Sequence, residues 1–332
     1  METADAMAEE TFLPILDLSL VDGGASGGGD AKAFAAALHD AFVHSGFCYI
    51  TNHGVPDAVI EATRAKALEF FRLPIEEKLK VSPKEAVRGF NAIGRTKMQY
   101  AEAPDYKEFY QIGLELPADD PAVLAGEAMR GPNQWPDLPG FREAFEAYYR
   151  EIGRCGQRLL RGVALALGVA DDFFVGKYAK PLQRTQAVYY PPHPEDHEGE
   201  LFGVAPHTDY GCITLLWQDD VGGLEVLDRQ GRWIDAPPIP GTLVINIGDL
   251  LQRWSNNRYF SNQHRVTNRS GRERLSIATF YDPDYSAMVD PRDLNLAPGE
   301  DALHAPISAG DYIMGRINRS QKHNAQAEAF NS

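Results

Sequence analysis

The chain has 332 residues, of which 44% are apolar and 24% charged, and its formal net charge is −15. This length and balance are ordinary for a globular protein with one large domain or two small ones. The acidic surplus argues against nucleic acid or an anionic membrane as a partner, because both attract basic patches. No apolar run approaches the length of a membrane span.

The cysteines and the N-terminus indicate a reducing environment. Cys48, Cys155 and Cys212 lie far apart in apolar stretches. An odd and dispersed set does not build a disulfide framework, so we expect three buried thiols. Residues 1–10 are acidic and contain no hydrophobic signal region. Together these features predict a cytoplasmic protein.

The first half of the chain is predicted to be mainly helical around short strands. Residues 12–20 predict a strand, and the glycine-rich residues 22–30 predict a flexible linker. A helix with an apolar stripe follows and ends at Gly46. The pattern then predicts a strand over 47–50, a helix over 57–71, a strand over 110–116 and a long helix over 141–167.

From Gln183 onward the pattern changes to short strands separated by turn residues. Predicted strands cover 185–190, 213–217, 224–227, 242–247, 264–267 and 275–281. Several short strands with regular turns are typical of a β-sandwich or a barrel. We therefore expect helices that precede and then support a β-core.

The strongest chemical signal lies between residues 206 and 216. His207 and Asp209 are two positions apart, and an apolar, β-branched run follows them. On an extended strand they would face the same side, although such a triplet arises often by chance and can be a structural pair. His264, 55 positions after Asp209, is a third candidate ligand. Two histidines and one carboxylate with open positions are typical of non-haem Fe(II) sites.

A second signal follows His264. Turn-forming residues 268–272 separate it from Arg274, so the spacing predicts a hairpin with His264 and Arg274 on its two strands. Arg274 and Ser276 would share a face, where a guanidinium beside a hydroxyl suits a bound carboxylate. Arg274 could also be a surface charge in an arginine-rich turn, but the apolar run after it favours an inward position.

The His207-Thr208-Asp209 stretch, the distal His264 and the Arg274-x-Ser276 pair together resemble the Fe(II)/2-oxoglutarate-dependent oxygenases of the isopenicillin N synthase-like family. The resemblance implies a mainly β fold with flanking helices, in which a double-stranded β-helix (jelly roll) is backed by N-terminal and central helices. It implies one oxygenase domain over 1–332. The expected parts are an α/β region over about 11–135, a backing helix over about 136–180, the jelly-roll core over about 181–290 and a C-terminal lid over about 291–332.

The resemblance also implies the cofactors, which are Fe(II), 2-oxoglutarate as co-substrate and O2. It assigns His207, Asp209 and His264 to the binding of iron. It assigns Arg274, Ser276 and Tyr190 to the binding of 2-oxoglutarate. The implied reaction converts 2-oxoglutarate to succinate and CO2 and hydroxylates a small molecule. Val188 departs from the pattern, since many plant members carry Asn there, and this weakens a placement with plant flavonoid or hormone enzymes.

Substrate residues are harder to identify. Six side chains fall on segments that should surround the iron in this family: Arg88, Phe90, Phe109, Gln186, Phe202 and Phe280. An aromatic side chain in such a segment is more often plain core.

Two other functions stay open at this point. An oxidase of the same fold would take all its electrons from its substrate, and Arg274 and Ser276 would then hold a substrate carboxylate. A non-catalytic small-molecule binding protein would keep the fold but would not need an open metal position. The sequence leaves the substrate, the oligomeric state and the choice among hydroxylation, desaturation, ring closure and demethylation open.

Overall fold

Two β-sheets of unequal size lie at the centre of the molecule. The computed structural model describes residues 13–22, 29–83, 88–98, 103–193 and 201–319. The strands of the larger sheet are β1 (Ile15–Asp17), β2 (Phe47–Thr51), β3 (Gly89–Asn91), β4 (Glu108–Gly113), β5 (Arg184–Tyr190), β7 (Ile213–Gln218), β10 (Leu243–Ile247) and β12 (Arg274–Tyr281). Those of the smaller sheet are β6 (Val204–His207), β8 (Leu224–Leu227), β9 (Trp233–Asp235) and β11 (His264–Val266).

From β5 to β12 the chain passes back and forth between the two sheets, with one exception: the consecutive strands β8 and β9 both lie in the smaller sheet. The larger sheet has the order β1-β2-β10-β7-β12-β5-β4-β3, and the smaller one has the order β6-β11-β8-β9. Apart from the β8–β9 pair, strands of this region pair with strands that are not their neighbours in sequence, and all these pairs are antiparallel. This winding confirms the predicted double-stranded β-helix. A separate short pair, β13 (Met288–Val289) and β14 (Ile307–Ser308), follows it.

Helices cover one face of the larger sheet. The helices of the described residues are α1 (Gly29–His44), α2 (Asp57–Phe71), α3 (Ile75–Leu79), α4 (Pro121–Leu124), α5 (Phe141–Ala166), α6 (Asp249–Trp254) and α7 (309–319), of which the short α4 buries no residue. The long α5 buries a stripe that includes Tyr148, Ile152 and Leu159. This stripe packs with α1 and with the outward side chains of the sheet in one core cluster. No helix in the described ranges is long and apolar enough to cross a membrane.

The period-2 alternation of the strands separates two cores. On β2, Phe47 and Tyr49 belong to the core between the sheets, whereas Cys48 and Ile50 belong to the core under the helices. Burial on both faces explains why these strands read as continuous apolar runs. The inner face can therefore carry polar residues only where they have a partner or line a cavity.

Most predicted elements are present, and their differences from prediction have clear causes. The helix predicted over 57–71 is Asp57–Phe71, and all three cysteines are free and buried. The N-terminal strand is only Ile15–Asp17, because Asp17 caps a 3-10 turn that starts at Leu18. Most of the predicted 22–30 linker, the 1–10 segment and the end of the C-terminal lid lie outside the described residues.

Gly46 joins α1 to β2 and allows another segment to pack closely against the junction. Its φ is +73°, and a Cβ at this position would lie 2.0 Å from the carbonyl oxygen of Phe260. Phe260 leads into the strand that begins with His264, whose ring is 5.3 Å from that of Phe47. The glycine thus allows the approach that seats His264 against β2.

We expect Gly46→Ala to lower the free energy of unfolding by about 3 kcal/mol, since it combines left-handed strain with a backbone clash. Gly241→Ala is the matched control. Gly241 has the same φ of +73°, but no atom of the described residues lies within 4 Å of the position that its Cβ would take. Its substitution should lower the free energy of unfolding by only about 1 kcal/mol, as measured by urea unfolding. Equal losses in the two variants would show that the approach of Phe260 is not tight.

Candidate metal centre and cavity

Three side chains converge at one end of the smaller sheet. The ligand atoms of His207, Asp209 and His264 all lie within 4.8 Å of one another. The Oδ1 atom of Asp209 is 3.8 Å from Nε2 of His207 and 3.9 Å from Nε2 of His264. In the described part of the chain, this is the group of three such residues that could hold a metal ion.

Strand pairing brings the two histidines together. β6 and β11 are antiparallel neighbours, and His207 is directly opposite His264 in their register. Their ring centroids are 4.2 Å apart. His207 Nδ1 lies 2.9 Å from the carbonyl oxygen of Ala205, and His264 Nδ1 lies 3.3 Å from that of Asn262. Donation from each Nδ1 to a carbonyl leaves each Nε2 free as a ligand.

Asp209 is not on a strand, which corrects the period-2 argument for its position. β6 ends at His207, and Asp209 lies in the loop that follows. Its carbonyl oxygen accepts the N–H of Asp249 at 2.8 Å. Gly248 makes this approach possible, because a Cβ there would lie 2.8 Å from the same carbonyl oxygen. The first residues of α6 therefore hold the loop that carries Asp209.

The carboxylate of Asp209 is oriented by two neighbouring strands of the larger sheet. Its Oδ2 atom accepts hydrogen bonds from the Thr214 hydroxyl at 2.6 Å and from Asn246 Nδ2 at 2.7 Å. Thr214 lies on β7 and is paired with Asn246 on β10. Because Oδ2 is occupied, Oδ1 is the oxygen that faces the histidines.

The electrostatics of the group suit a divalent cation. Burial lowers the pKa of His207, and the neighbouring His264 lowers it further, so the ring stays neutral. Burial alone would raise the pKa of Asp209, but the two histidines and the donors Asn246 and Thr214 bring it below its ordinary value. A neutral imidazole and an ionised carboxylate are the protonation states in which these groups bind metals.

Arg274 and His264 are not partners in a hairpin, so that prediction is wrong. β11, which starts at His264, pairs with β6 and β8, whereas β12, which starts at Arg274, pairs with β5 and β7. The turn between them carries the chain from the smaller sheet to the larger one. Arg274 and His264 consequently face each other across the space between the sheets.

Arg274 is a buried cation, 1% exposed, whose hydrogen-bond partners among the described residues are neutral. Nε donates to the carbonyl oxygen of Gly222 at 2.6 Å, Nη1 to the Ser276 hydroxyl at 3.3 Å and Nη2 to Gln218 Oε1 at 3.2 Å. The guanidinium carbon lies 4.6 Å from the centre of the Tyr190 ring. The Asp219 carboxylate lies near enough to interact electrostatically with Arg274, but its oxygens accept the N–H groups of Leu275 and Val221. Because no anion is hydrogen-bonded to the guanidinium among the described residues, this arrangement favours an anionic ligand.

A cavity of about 360 Å³ connects the metal-ligating group with Arg274. Both groups line it, as do Ser276 and Tyr190. Four of the six predicted substrate residues also line it, namely Arg88, Phe109, Gln186 and Phe280. Arg88 is largely committed to structure, because it donates to the carbonyl oxygens of Leu114, Met129 and Gly131.

The structure does not bring Phe90 and Phe202 to this cavity, which corrects their place in the predicted pocket. Phe90 is paired with Tyr110 on β4, and both rings join the aromatic core under the helices. Phe202 lies under the guanidinium of Arg265, 5.5 Å from ring centre to Cζ. Arg265 comes between His264 and Val266 and so points away from the cavity, and Phe202 packs on that outer face.

Sequence reasoning missed several residues that the structure places at the site. Arg184 lines the cavity and could have been found, because it continues the period-2 series of Gln186 and Tyr190. Thr214 and Asn246 gave no local signal, since their role depends on which strands pair.

The C-terminal helix also reaches the site. Ile317 of α7 lines the cavity. Its neighbour Arg316 places Nη1 2.5 Å from Asp249 Oδ2 and its guanidinium carbon 4.7 Å from the Tyr210 ring centre. Through Asp249, α7 is therefore tied to the loop that carries Asp209.

Comparison with known proteins gives a consistent result. The family model of the 2OG-Fe(II) oxygenase superfamily matches residues 181–283, and that of the non-haem dioxygenase in morphine synthesis N-terminal region matches residues 13–138. The 2-oxoglutarate-Fe(II) type oxidoreductase hxnY of Emericella nidulans is 36% identical over 330 residues, which is 96% of this chain and 93% of that protein. A homoarginine-6-hydroxylase of Glycine max is 36% identical over 84% of this chain and 87% of its own length.

Solved structures agree with this. A full-length Neurospora crassa protein crystallised in complex with α-KG has a TM-score of 0.80 and 31% identity, covering 92% of this chain and 96% of its own. The same protein has also been crystallised with α-KG and thymine. The core that winds between two sheets, the His–Asp–His group and these relatives lead to one conclusion. The chain belongs to the 2OG-Fe(II) oxygenase superfamily and is a 2-oxoglutarate-Fe(II) type oxidoreductase, with Fe(II) and 2-oxoglutarate as its cofactor and co-substrate.

Proposed function

We propose that this enzyme couples the oxidative decarboxylation of 2-oxoglutarate to the hydroxylation of a C–H bond in a small molecule. The observation that carries the proposal is one cavity with two different binding groups, a metal-ligating triad and a buried cation that hydrogen-bonds only neutral groups among the described residues. Bound Fe(II) supplies the activation of O2, with succinate and CO2 as the other products. The protein residues bind and orient the metal, the co-substrate and the substrate, and they exclude water.

In this proposal His207, Asp209 and His264 are the iron ligands. They occupy one side of the metal and leave positions open toward the cavity. Thr214 and Asn246 fix the carboxylate so that Oδ1 stays directed at the iron. Burial of the group keeps bulk water away from the open positions.

Arg274 and Ser276 bind the far carboxylate of 2-oxoglutarate. The guanidinium is already held in place by Gly222 and Gln218, so little side-chain order is lost on binding. The Tyr190 ring supports the guanidinium from one face, and its hydroxyl is assigned a third contact to the co-substrate. The remaining cavity, which includes Phe109, Gln186 and Phe280, receives the small-molecule substrate.

Thr214→Val should weaken Fe(II) binding about tenfold or more, because it removes one of the two donors that orient Asp209. Anaerobic competition with a coloured chelator measures the affinity. Thr279→Val is the matched control, since Thr279 is an equally buried hydroxyl that bonds to Thr185 at 3.0 Å on the other face of the sheet. The control should keep its iron affinity. Unchanged affinity in Thr214→Val would mean that Asp209 needs no such support.

Arg274→Met tests the proposed function directly. The protein with Fe(II) should convert 2-oxoglutarate to succinate in air, slowly without substrate. The variant should lose about 100-fold or more in kcat/KM for 2-oxoglutarate, since a carboxylate would lose its buried charged partner.

Arg272→Met is the control for this experiment. Arg272 precedes Arg274 by two residues, but its side chain is 56% exposed and pairs with Asp220 at the surface. Its loss should leave succinate formation unchanged. Consumption of O2 by the unaltered enzyme without any succinate would reject the proposal and favour an oxidase that takes its electrons from substrate alone.

A further inference from the structure

Arg184, the first residue of β5, lines the cavity but has no role in the proposed function. Its Nη2 donates to Asp282 Oδ2 at 2.9 Å, and this is the one hydrogen bond of its side chain among the residues that the structure describes. Its Nε atom is buried and finds no acceptor in the same ranges. A guanidinium has five N–H donors. The Nη donors of Arg184 that do not bond to Asp282 are not buried, so a ligand in the cavity can reach them and supply acceptors.

The strand register places Arg184 close to the metal-ligating group. Arg184 pairs with Phe280 on β12, and Phe280 pairs with Thr214 on β7. These three side chains form a row across the floor of the cavity, about 10 Å long for two strand spacings. Thr214 holds Asp209, so the row runs from Arg184 to the metal ligand, with the Phe280 ring between them.

Asp282 connects Arg184 rigidly to the same end of the cavity. While Oδ2 accepts from Arg184, Oδ1 accepts the N–H of Cys212 at 2.6 Å. Cys212 lies three residues after Asp209. The guanidinium carbon is also 4.9 Å from the centre of the Phe280 ring. The side chain is thus fixed before any ligand binds, which is the condition for specific recognition.

Arg184 is distinct from the proposed 2-oxoglutarate anchor. Arg274 and Phe280 are six residues apart on β12, about 20 Å along the strand. Arg184 is opposite Phe280, whereas Arg274 is opposite Tyr190 at the other end of β5. One bound 2-oxoglutarate therefore cannot occupy both guanidinium groups while it also reaches the iron.

The charge of the cavity is the opposite of the charge of the chain. The chain carries a formal net charge of −15. Yet within the described ranges the charged side chains of the cavity wall are six basic ones and one acidic one, Asp209. The basic ones are Arg88, Arg95, Lys97, Lys107, Arg184 and Arg274. Asp105 beside Lys107 and Asp282 beside Arg184 balance part of this charge. Such a wall attracts an anion.

We propose that Arg184 is a substrate-binding residue and that the substrate is a small organic acid, whose carboxylate binds Arg184 while its apolar body lies over Phe280 toward the iron. This inference rests on the proposed function, because it concerns the substrate of that same site. The apolar body follows from the neighbouring cavity wall, where Ala278, Leu216 and Ile317 supply no polar group. When the substrate carboxylate binds Arg184, a substrate carbon about one ring width away from it lies next to the metal.

The test compares acids with their neutral amides as probes. Calorimetric titrations are carried out under nitrogen with the full chain loaded with Fe(II) and 2-oxoglutarate. The acids are benzoate and phenylacetate, and their neutral amides are benzamide and phenylacetamide. Loading with 2-oxoglutarate keeps Arg274 occupied, so the probes report on the rest of the cavity. We expect each acid to bind at least tenfold tighter than its amide, because a charge-assisted hydrogen bond is involved.

Arg184→Lys should weaken acid binding about 10- to 100-fold and leave amide binding unchanged. It keeps a cation beside the buried Asp282. Arg184→Met with Asp282→Asn is the second variant, which removes both charges together and should show the same loss of preference. Arg95→Lys is the matched control at another basic residue of the wall, and it should bind the acids as the unaltered protein does.

The outcomes separate this inference from the proposed function. Failure of 2-oxoglutarate to bind the Fe(II)-loaded protein would reject the proposed function itself. If 2-oxoglutarate binds, three results would overturn the role of Arg184 alone. They are equal affinity for acids and amides, no binding of either acid at 20 mM (roughly the weakest affinity that one such contact leaves), and undiminished acid binding in both Arg184 variants.

Discussion

The pairing of β6 with β11 is the constraint on which the site depends. It sets His207 opposite His264, although the two residues are 57 positions apart in the chain. No local structure could bring them together, and a shift of the register by one residue would turn one ring to the opposite face of the sheet. The site therefore exists only when the smaller sheet has formed, and its geometry depends on what keeps that sheet in place. The close approach at Gly46 and the contact of Phe47 with His264 provide part of that support.

The larger sheet contributes the polar side chains that line the cavity opposite the smaller sheet. On the face that looks into the cavity, β7 and β10 orient Asp209, and β12 carries Arg274 and Ser276. Each charged group there has its own fixed support, such as Gly222 beneath Arg274 or Asp282 beneath Arg184. Since these supports are buried, the groups are held in place without a ligand. Metal, co-substrate and substrate can then bind at separate points of one cavity between the two sheets.

Much of this was predictable from local patterns, and the rest depends on long-range pairing. Period-2 alternation correctly places Arg274 and Ser276 on one face, and the same rule extends to Arg184. It fails for Asp209, which lies beyond the end of its strand and is held by Asp249. Turn-forming residues after His264 indicated a reversal of the chain, but they could not tell a hairpin from a crossing between sheets. Phe90 was misplaced for a similar reason, because only its pairing with Tyr110 shows which way it faces.

The most direct test of the whole account is the anaerobic addition of Fe(II) and 2-oxoglutarate to the metal-free protein, followed by visible absorbance. Binding of the keto acid to iron held by His207, Asp209 and His264 should give a weak charge-transfer band, which His207→Ala abolishes. Iron binding without the band would show that 2-oxoglutarate does not reach the metal in this cavity. If neither Fe(II) nor the keto acid binds, the three side chains that converge here are not a metal centre.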